Sequence, residues 1–226
     1  MASKRIPVQE RRQALVEAAM RVMEREGIAA ATTRAICAEA GMPNGFFHYC
    51  FTSKQELMLE VAQQFRRRFT AMLSMADGLQ GDVYTVLSTA LTTLLDDAAA
   101  HPDIHQLTYE LPLYALRDDD LSGIAQRCYE DNEIVAAEFL RMAAEIAGCE
   151  WTRPDGELAR FLAVTVDGTV LQWLMLRDDD RAHEHIDVIA RHFAALARPL
   201  REGEPASGAG AGRKGVIDMS QQGGAR

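Results

Sequence analysis

The sequence predicts an all-α protein with an N-terminal three-helix helix-turn-helix domain and a larger C-terminal helical domain. Three observations lead there. Every periodic apolar segment repeats at three- and four-residue spacing, the period of a helix. The stretch Thr32 to Leu57, TTRAICAEAGMPNGFFHYCFTSKQEL, reads as two short helices across a tight turn, followed at once by a capped third. Charge is also divided: residues 1–70 carry 11 Lys+Arg and 7 Asp+Glu, net +4, which leaves 13 and 26 of the chain's 24 and 33 to the remainder.

The first helix runs from Val8 to Arg25 and offers Leu15, Ala19 and Val22 to a core. Thr32 or Thr33 caps the second, Ile36 and Ala40 give it an apolar edge, and Gly41 stops it. Pro43 suits the start of a short helix to about Cys50, a stub that needs tertiary packing to hold. Ser53-Lys54-Gln55-Glu56 is a capping box; it opens a helix to about Ala76 with Leu57, Val61, Phe65 and Met72 at helical spacing. After a break at Gly78 and Gly81, a helix from Asp82 towards Ala100 carries Val83, Leu87, Leu91 and Leu94 on one face. His101-Pro102 ends it, because proline restricts the residue before it. A helix over about Asp103 to Leu116 follows. Beyond the acidic turn Asp118-Asp119-Asp120, a long helix extends to about Ala147, with Val135, Phe139, Met142 and Ile146 in phase and Gly148 near its end.

Thr152-Arg153-Pro154-Asp155 starts another helix, with threonine at the cap and proline in the first turn. From Phe161 to Leu176 it is apolar nearly all round, Asp167 being its only charged residue, so it needs cover on more than one side. One side is its own domain; the other is most simply a second copy of the chain. The expected interface comprises Phe161, Gly168 and Leu171 with Ile186, Ile189 and Phe193 of a last helix, Ala182 to Arg198. The expected domains are 1–52, then 53–200 with the helix 53–76 as connector, and a Gly/Ala/Ser-rich disordered tail, 201–226.

At 48% hydrophobic, 226 residues suffice for a sizeable core. The chain has no run of 18 apolar residues and no N-terminal apolar segment of signal type, so a cytoplasmic protein without a membrane partner is expected. Cys37, Cys50, Cys128 and Cys149 lie far apart and read as free thiols. Cys50 has two readings, a packing residue or a redox-sensing thiol. His183 and His185 do not share a helix face, and Pro102 separates His101 from His105, so no metal or cofactor is expected. An enzyme would leave the helix-turn-helix unexplained, and no nucleophile–base pair stands at recognisable spacing.

The order Thr-Thr, Ile-Cys-Ala-Glu-Ala-Gly, Gly-Phe-Phe-His-Tyr-Cys-Phe and Ser-Lys-x-x-Leu, over about the first 60 residues, resembles the DNA-binding domain of TetR-family transcriptional repressors. The resemblance puts Gly41 at the turn, Gly45 in the recognition helix, Phe47 and Phe51 in the core, Lys54 on a phosphate and Leu57 in the core. It departs at His48, where tyrosine is usual, and at Cys50, where a histidine or an aromatic is usual; Tyr49 is expected to take over part of the missing phosphate contact. Asn44, Phe46 and Tyr49 are expected to face base edges, and Thr33, His48 and Lys54 phosphates, with Arg34 able to reach either. Phe46 reads equally as core.

The same resemblance implies a homodimer on a pseudo-palindromic DNA operator, a dimer interface from the last two helices, repression, and release by a small-molecule effector held in the larger domain. Candidate effector contacts are Tyr109, Tyr114, Phe139, Met142, Asp167 and Trp173, each of which also reads as plain core. Asp167 needs a partner: a buried hydrogen bond, an arginine across the dimer, or a cationic ligand group. A DNA-binding or architectural protein without a ligand stays open, and a filled larger domain would favour it.

Overall fold

Nine α-helices carry the chain among the described residues, 7–74 and 79–200 of the computed structural model. The tail 201–226 and the break at Gly78 lie outside the described residues. The helices are α1 (Val8–Glu26), α2 (Thr33–Glu39), α3 (Gly45–Cys50), α4 (Lys54–Ser74), α5 (Val83–Ala100), α6 (Pro102–Ala115), α7 (Ile124–Ala147), α8 (Asp155–Leu176) and α9 (Asp179–Ala195).

The first core gathers Leu15, Val22 and Met23 of α1, Ile36 of α2, Phe47 of α3, Phe51 just after it, and Leu57, Met58 and Val61 of α4. A six-residue helix cannot hold itself, so α3 depends on Phe47, 1% exposed, whose burial is worth about 1.5–3 kcal/mol. The turn before it is closed locally. Thr32 Oγ1 accepts from the Ala35 amide at 3.2 Å, and the Met42 amide donates back to the Cys37 carbonyl at 2.8 Å. That closure requires Gly41 at φ +65°, where a side chain would be strained although nothing nearby blocks it.

The capping box forms with one shift in register. Ser53 Oγ accepts from the Glu56 amide at 3.1 Å, but the Glu56 carboxylate reaches back to the amide and hydroxyl of Thr52, not to Ser53. Glu56 also holds Arg12 of α1 at 2.7 Å. Arg12 donates further to Glu60 and to the Cys50 carbonyl at the end of α3, and its guanidinium lies 4.1 Å from the Phe51 ring centroid. One arginine therefore binds α1, the end of α3 and the start of α4 into a single block.

The second core packs α5, α7, α8 and α9 through Leu87, Leu91, Phe139, Leu162, Trp173, Ile186 and Phe193. The first core does not stop at the expected boundary near residue 52: Leu107 and Leu111 of α6, with Leu121 and Ile124, belong to it. The helix α6 thus bridges the two cores.

Two sequence expectations change here. The last helix begins at Asp179, because Asp178 accepts from the Arg181 amide at 3.0 Å, and it ends at Ala195. Residues Ala197–Pro199 form a strand (β2) antiparallel to Cys149–Trp151 (β1), pairing Cys149 with Pro199 and Trp151 with Ala197. Three residues are too few to show a strand's alternation. Second, Ile186, Ile189 and Phe193 are buried within the chain's own core, where α9 packs against α5, so their stripe does not face outward. The large apolar residues left outward by α8 and α9 are Phe161, Val164, Leu171, Met175, Leu176 and Val188.

By length and composition α8 could cross a membrane, which a count of uninterrupted apolar residues misses. Its inner face packs against α7 and α9, and Asp167 in its middle accepts from Asn132. These contacts account for its inner face alone: 33% of its apolar stretch is buried, and Phe161, Val164, Leu171, Met175 and Leu176 stay exposed.

Truncating Phe47 to alanine should cost about 3–5 kcal/mol and unfold the small domain first, whereas Phe46→Ala should cost no more than about 1 kcal/mol. Denaturant unfolding monitored by circular dichroism checks both values; equal costs would contradict this assignment of the two rings.

Candidate functional site

Two regions concentrate chemistry, and α4 touches both. The first is the outer face of α2 and α3. Asn44 precedes α3 with helical backbone angles, makes no side-chain cap bond, and leaves its amide exposed. His48 and Tyr49 are exposed on α3, Tyr49 at 66%. Thr33 and Arg34 open α2, with Arg34 exposed and Thr33 half-buried. Phe46 is half-buried, and the Arg11 guanidinium of α1 lies 5.0 Å from its ring centroid. Arg11 thus joins this face, although spacing within the helix-turn-helix could not have indicated a residue on α1. Cys50 is buried in the first core, consistent with its packing role.

Lys54, the first residue of α4, has its ammonium 5.8 Å from the Tyr114 ring centroid. Tyr114 is therefore seated against the small domain and packs on the first core; it does not line the cavity described next. Gln55 reaches the Ser122 carbonyl at 2.6 Å. Both contacts tie the first turn of α4 to the larger domain.

The second region is a cavity of about 220 Å³ lined from α4, α5, α6, α7 and α8. Phe69 and Met72 line it from α4, Thr89 and Thr93 from α5, His105, Thr108 and Tyr109 from α6, Asn132 and Phe139 from α7, and Val166 and Asp167 from α8. A second hollow of about 350 Å³ adjoins it between α4, α6, α7 and α8, with exposed Leu113, Leu116 and Leu171 at its rim. Of the expected effector contacts, Tyr109, Phe139 and Asp167 come together here. Met142 packs into the second core without lining either space, and the Trp173 indole is buried there, donating to Asp179 at 2.7 Å.

His105, Thr108 and Asn132 were not expected in these walls. The available signal was a polar side chain on an otherwise apolar stripe: His105 is one turn from Tyr109 on α6, and Asn132 shares a stripe with Val135, Ala136 and Phe139 on α7.

Ion pairs link these walls to α4. Arg68 of α4 holds both carboxylate oxygens of Asp97 on α5, and Asp97 meets His105 Nε2 at 2.9 Å. Burial lowers the His105 pKa and keeps the ring neutral, so Nε2–H donates. Burial opposes the Asp97 charge, yet His105 and Arg68 outweigh it and hold the carboxyl below its ordinary value. The His105 ring also packs at 5.5 Å against Phe69. Beside this group, Arg66 of α4 pairs at 3.1 Å with buried Asp131 of α7, the neighbour of Asn132.

Burial pushes the Asp167 carboxyl up to about 6, against a hydrogen bond at 3.3 Å from Asn132. Burial likewise raises Tyr109, whose hydroxyl donates to the Asp167 backbone carbonyl at 3.3 Å. The Cys128 thiol rises to about 11 for the same reason.

Comparison with known proteins follows the same division. The family profile "Bacterial regulatory proteins, tetR family" matches residues 15–61, and "Tetracyclin repressor-like, C-terminal domain" matches residues 85–199. The nicotine-responsive transcriptional repressor HdnoR of Paenarthrobacter nicotinovorans is 28% identical over 188 residues, 81% of this chain and 93% of its own. The multidrug binding protein EbrR, solved with ethidium, is 30% identical, covering 80% of this chain and 97% of its own, with a TM-score of 0.60. A transcriptional regulator from Rhodococcus sp. Rha1 shares the fold at 20% identity, with a TM-score of 0.65 over 84% of this chain and 99% of its own. With both halves matched in order, the chain belongs to the TetR family of transcriptional regulators.

Proposed function

We propose that the chain represses transcription as a homodimer on a pseudo-palindromic operator and leaves it when a small molecule fills the cavity. The observation that carries this reading is the double duty of α4: its first turn follows α3 after three residues and is tied to the end of α3 through Arg12, while Phe69 and Met72 form part of the cavity wall. A ligand that fits only one seating of α4 shifts the population towards it and changes the pose of α3.

The cavity favours this reading over an architectural protein without a ligand, whose larger domain would be filled. Two relatives support it: HdnoR is nicotine-responsive, and EbrR has been solved with ethidium and with malachite green. The outward strip Phe161, Val164, Leu171, Met175 and Val188 suits burial against its own copy across a two-fold axis. Such a dimer would set two α3 helices into major grooves roughly 34–36 Å apart, or a multiple of that. Acting on DNA, the protein would work in the cytoplasm and use no catalytic residues.

Selection from a randomised duplex library at fixed salt tests the reading. It should return one pseudo-palindrome; absence of enrichment, with only weak salt-dependent binding, would contradict it. On that operator, Asn44→Ala should lose about 1–3 kcal/mol of discrimination at one base pair per half-site, seen as relaxed specificity in competition titrations. Lys54→Ala should weaken operator and random DNA alike and reduce the salt slope by about 1 per site. For a compound that releases the native protein, Asp97→Asn should leave calorimetric binding of the compound nearly intact while operator release is blunted. Unimpaired release would remove the Arg68–Asp97–His105 link from the mechanism.

A further inference from the structure

The charge of the effector can be read from the cavity. Asp167 is one of five residues, with Phe69, Thr108, Tyr109 and Asn132, that border both the cavity and the adjoining hollow. It therefore faces whatever occupies either space. Among the described residues no arginine, lysine or histidine pairs with it; its carboxylate accepts from Asn132 at 3.3 Å, and Tyr109 serves only its backbone carbonyl.

The other titratable groups of these walls are already settled. Arg66 of α4 and Asp131 of α7 neutralise one another at 3.1 Å. His105 of α6 is committed to Asp97 as a neutral ring, and burial keeps Tyr109 of α6 and Cys128 of α7 protonated. Tyr129 of α7 is exposed at the rim. What remains is one carboxylate against apolar and aromatic surface, an arrangement that disfavours its charge until a cation meets it.

We propose that the effector is an organic monocation, a protonated amine or quaternary nitrogen on an apolar body, with its charge against Asp167 and its body beside Phe69, Phe139 and Val166. This rests on the reading of the cavity as the effector site. The rings of Phe69 and Tyr109 add cation–π attraction, and Asn132 keeps the carboxylate aimed at the boundary of the two spaces. A neutral ligand of the same shape would leave the carboxylate unmatched and bind more weakly.

The test is calorimetric binding of the full-length protein to 4-phenyl-1-methylpyridinium and to its neutral isostere 4-methylbiphenyl. The cation should bind about tenfold tighter or more, a preference that Asp167→Asn abolishes and Asp167→Glu retains. Because the pyridinium charge is permanent, its affinity should fall as pH drops from 7.5 to 5, when the carboxyl takes up its proton near pH 6; Asp167→Asn should remove that dependence. The sign of the stability effect follows. Folding raises this pKa, so the folded state keeps its proton to higher pH, and the ionised group costs stability above about 6. Asp167→Asn should therefore melt no lower than the native protein at pH 7.5, which also serves as the folding control. Equal affinities for the two probes, or a preference that survives in Asp167→Asn, would overturn the cation assignment while leaving the effector site standing. Binding of neither probe at millimolar concentration would overturn both.

Discussion

The constraint on which the rest of the structure depends is that one helix belongs to two cores. The 21 residues of α4 span about 31 Å, long enough to leave the recognition helix at one end and reach the cavity at the other. Leu57, Met58, Val61 and Phe65 anchor its first half in the first core, and Phe69 continues from that core into the cavity wall. A continuous helix resists bending between those points, so under the proposed mechanism a displacement at Phe69 would be passed on to Lys54.

Polar contacts are distributed in keeping with that role. At the N-terminal end of α4, Arg12, Glu56, Glu60 and the Cys50 carbonyl join α1, α3 and α4 into one block. At the cavity end, Arg66 and Arg68 of α4 reach Asp131 and Asp97, each adjacent or bonded to a cavity-lining residue. The Asp131 carboxylate is nearly buried, and removing one member of such a pair costs far more than an exposed surface pair is worth. Arg21 and Arg25 on Glu39, which are partly exposed, tie α1 to α2 but add little. The helix α6 supplies a parallel connection, with His105 and Tyr109 at the cavity and Tyr114 against Lys54.

The helices were legible because their signals are local: Thr32, Gly41, Ser53, Asp82 and Gly148 each act within one turn of the end they define. The paired strands were not, since three residues show no period and the pairing joins positions 46 to 50 residues apart in sequence. The turn and cap of the helix-turn-helix were legible; Arg11 beside them was not, since its neighbour Phe46 lies on another helix. In the larger domain, the apolar stripe of α9 could be read but not the direction it faces; burial assigned Ile186, Ile189 and Phe193 to the protomer's own core. The cavity was legible where an unusual residue marked it, as at Asp167, and illegible for Tyr114 and Trp173, whose aromatic spacing fits core and cavity alike.

The central claim, that cavity occupancy acts by repositioning the recognition helices through α4, is tested most directly by the distance between the two small domains. A nitroxide at exposed position 38 of each protomer, introduced as Ala38→Cys with Cys128 and Cys149 replaced by serine, reports that distance by pulsed electron paramagnetic resonance. The account predicts one narrow distribution on the operator and a displaced one when a releasing compound is bound. An unchanged distribution in the compound-bound, operator-free protein would contradict it.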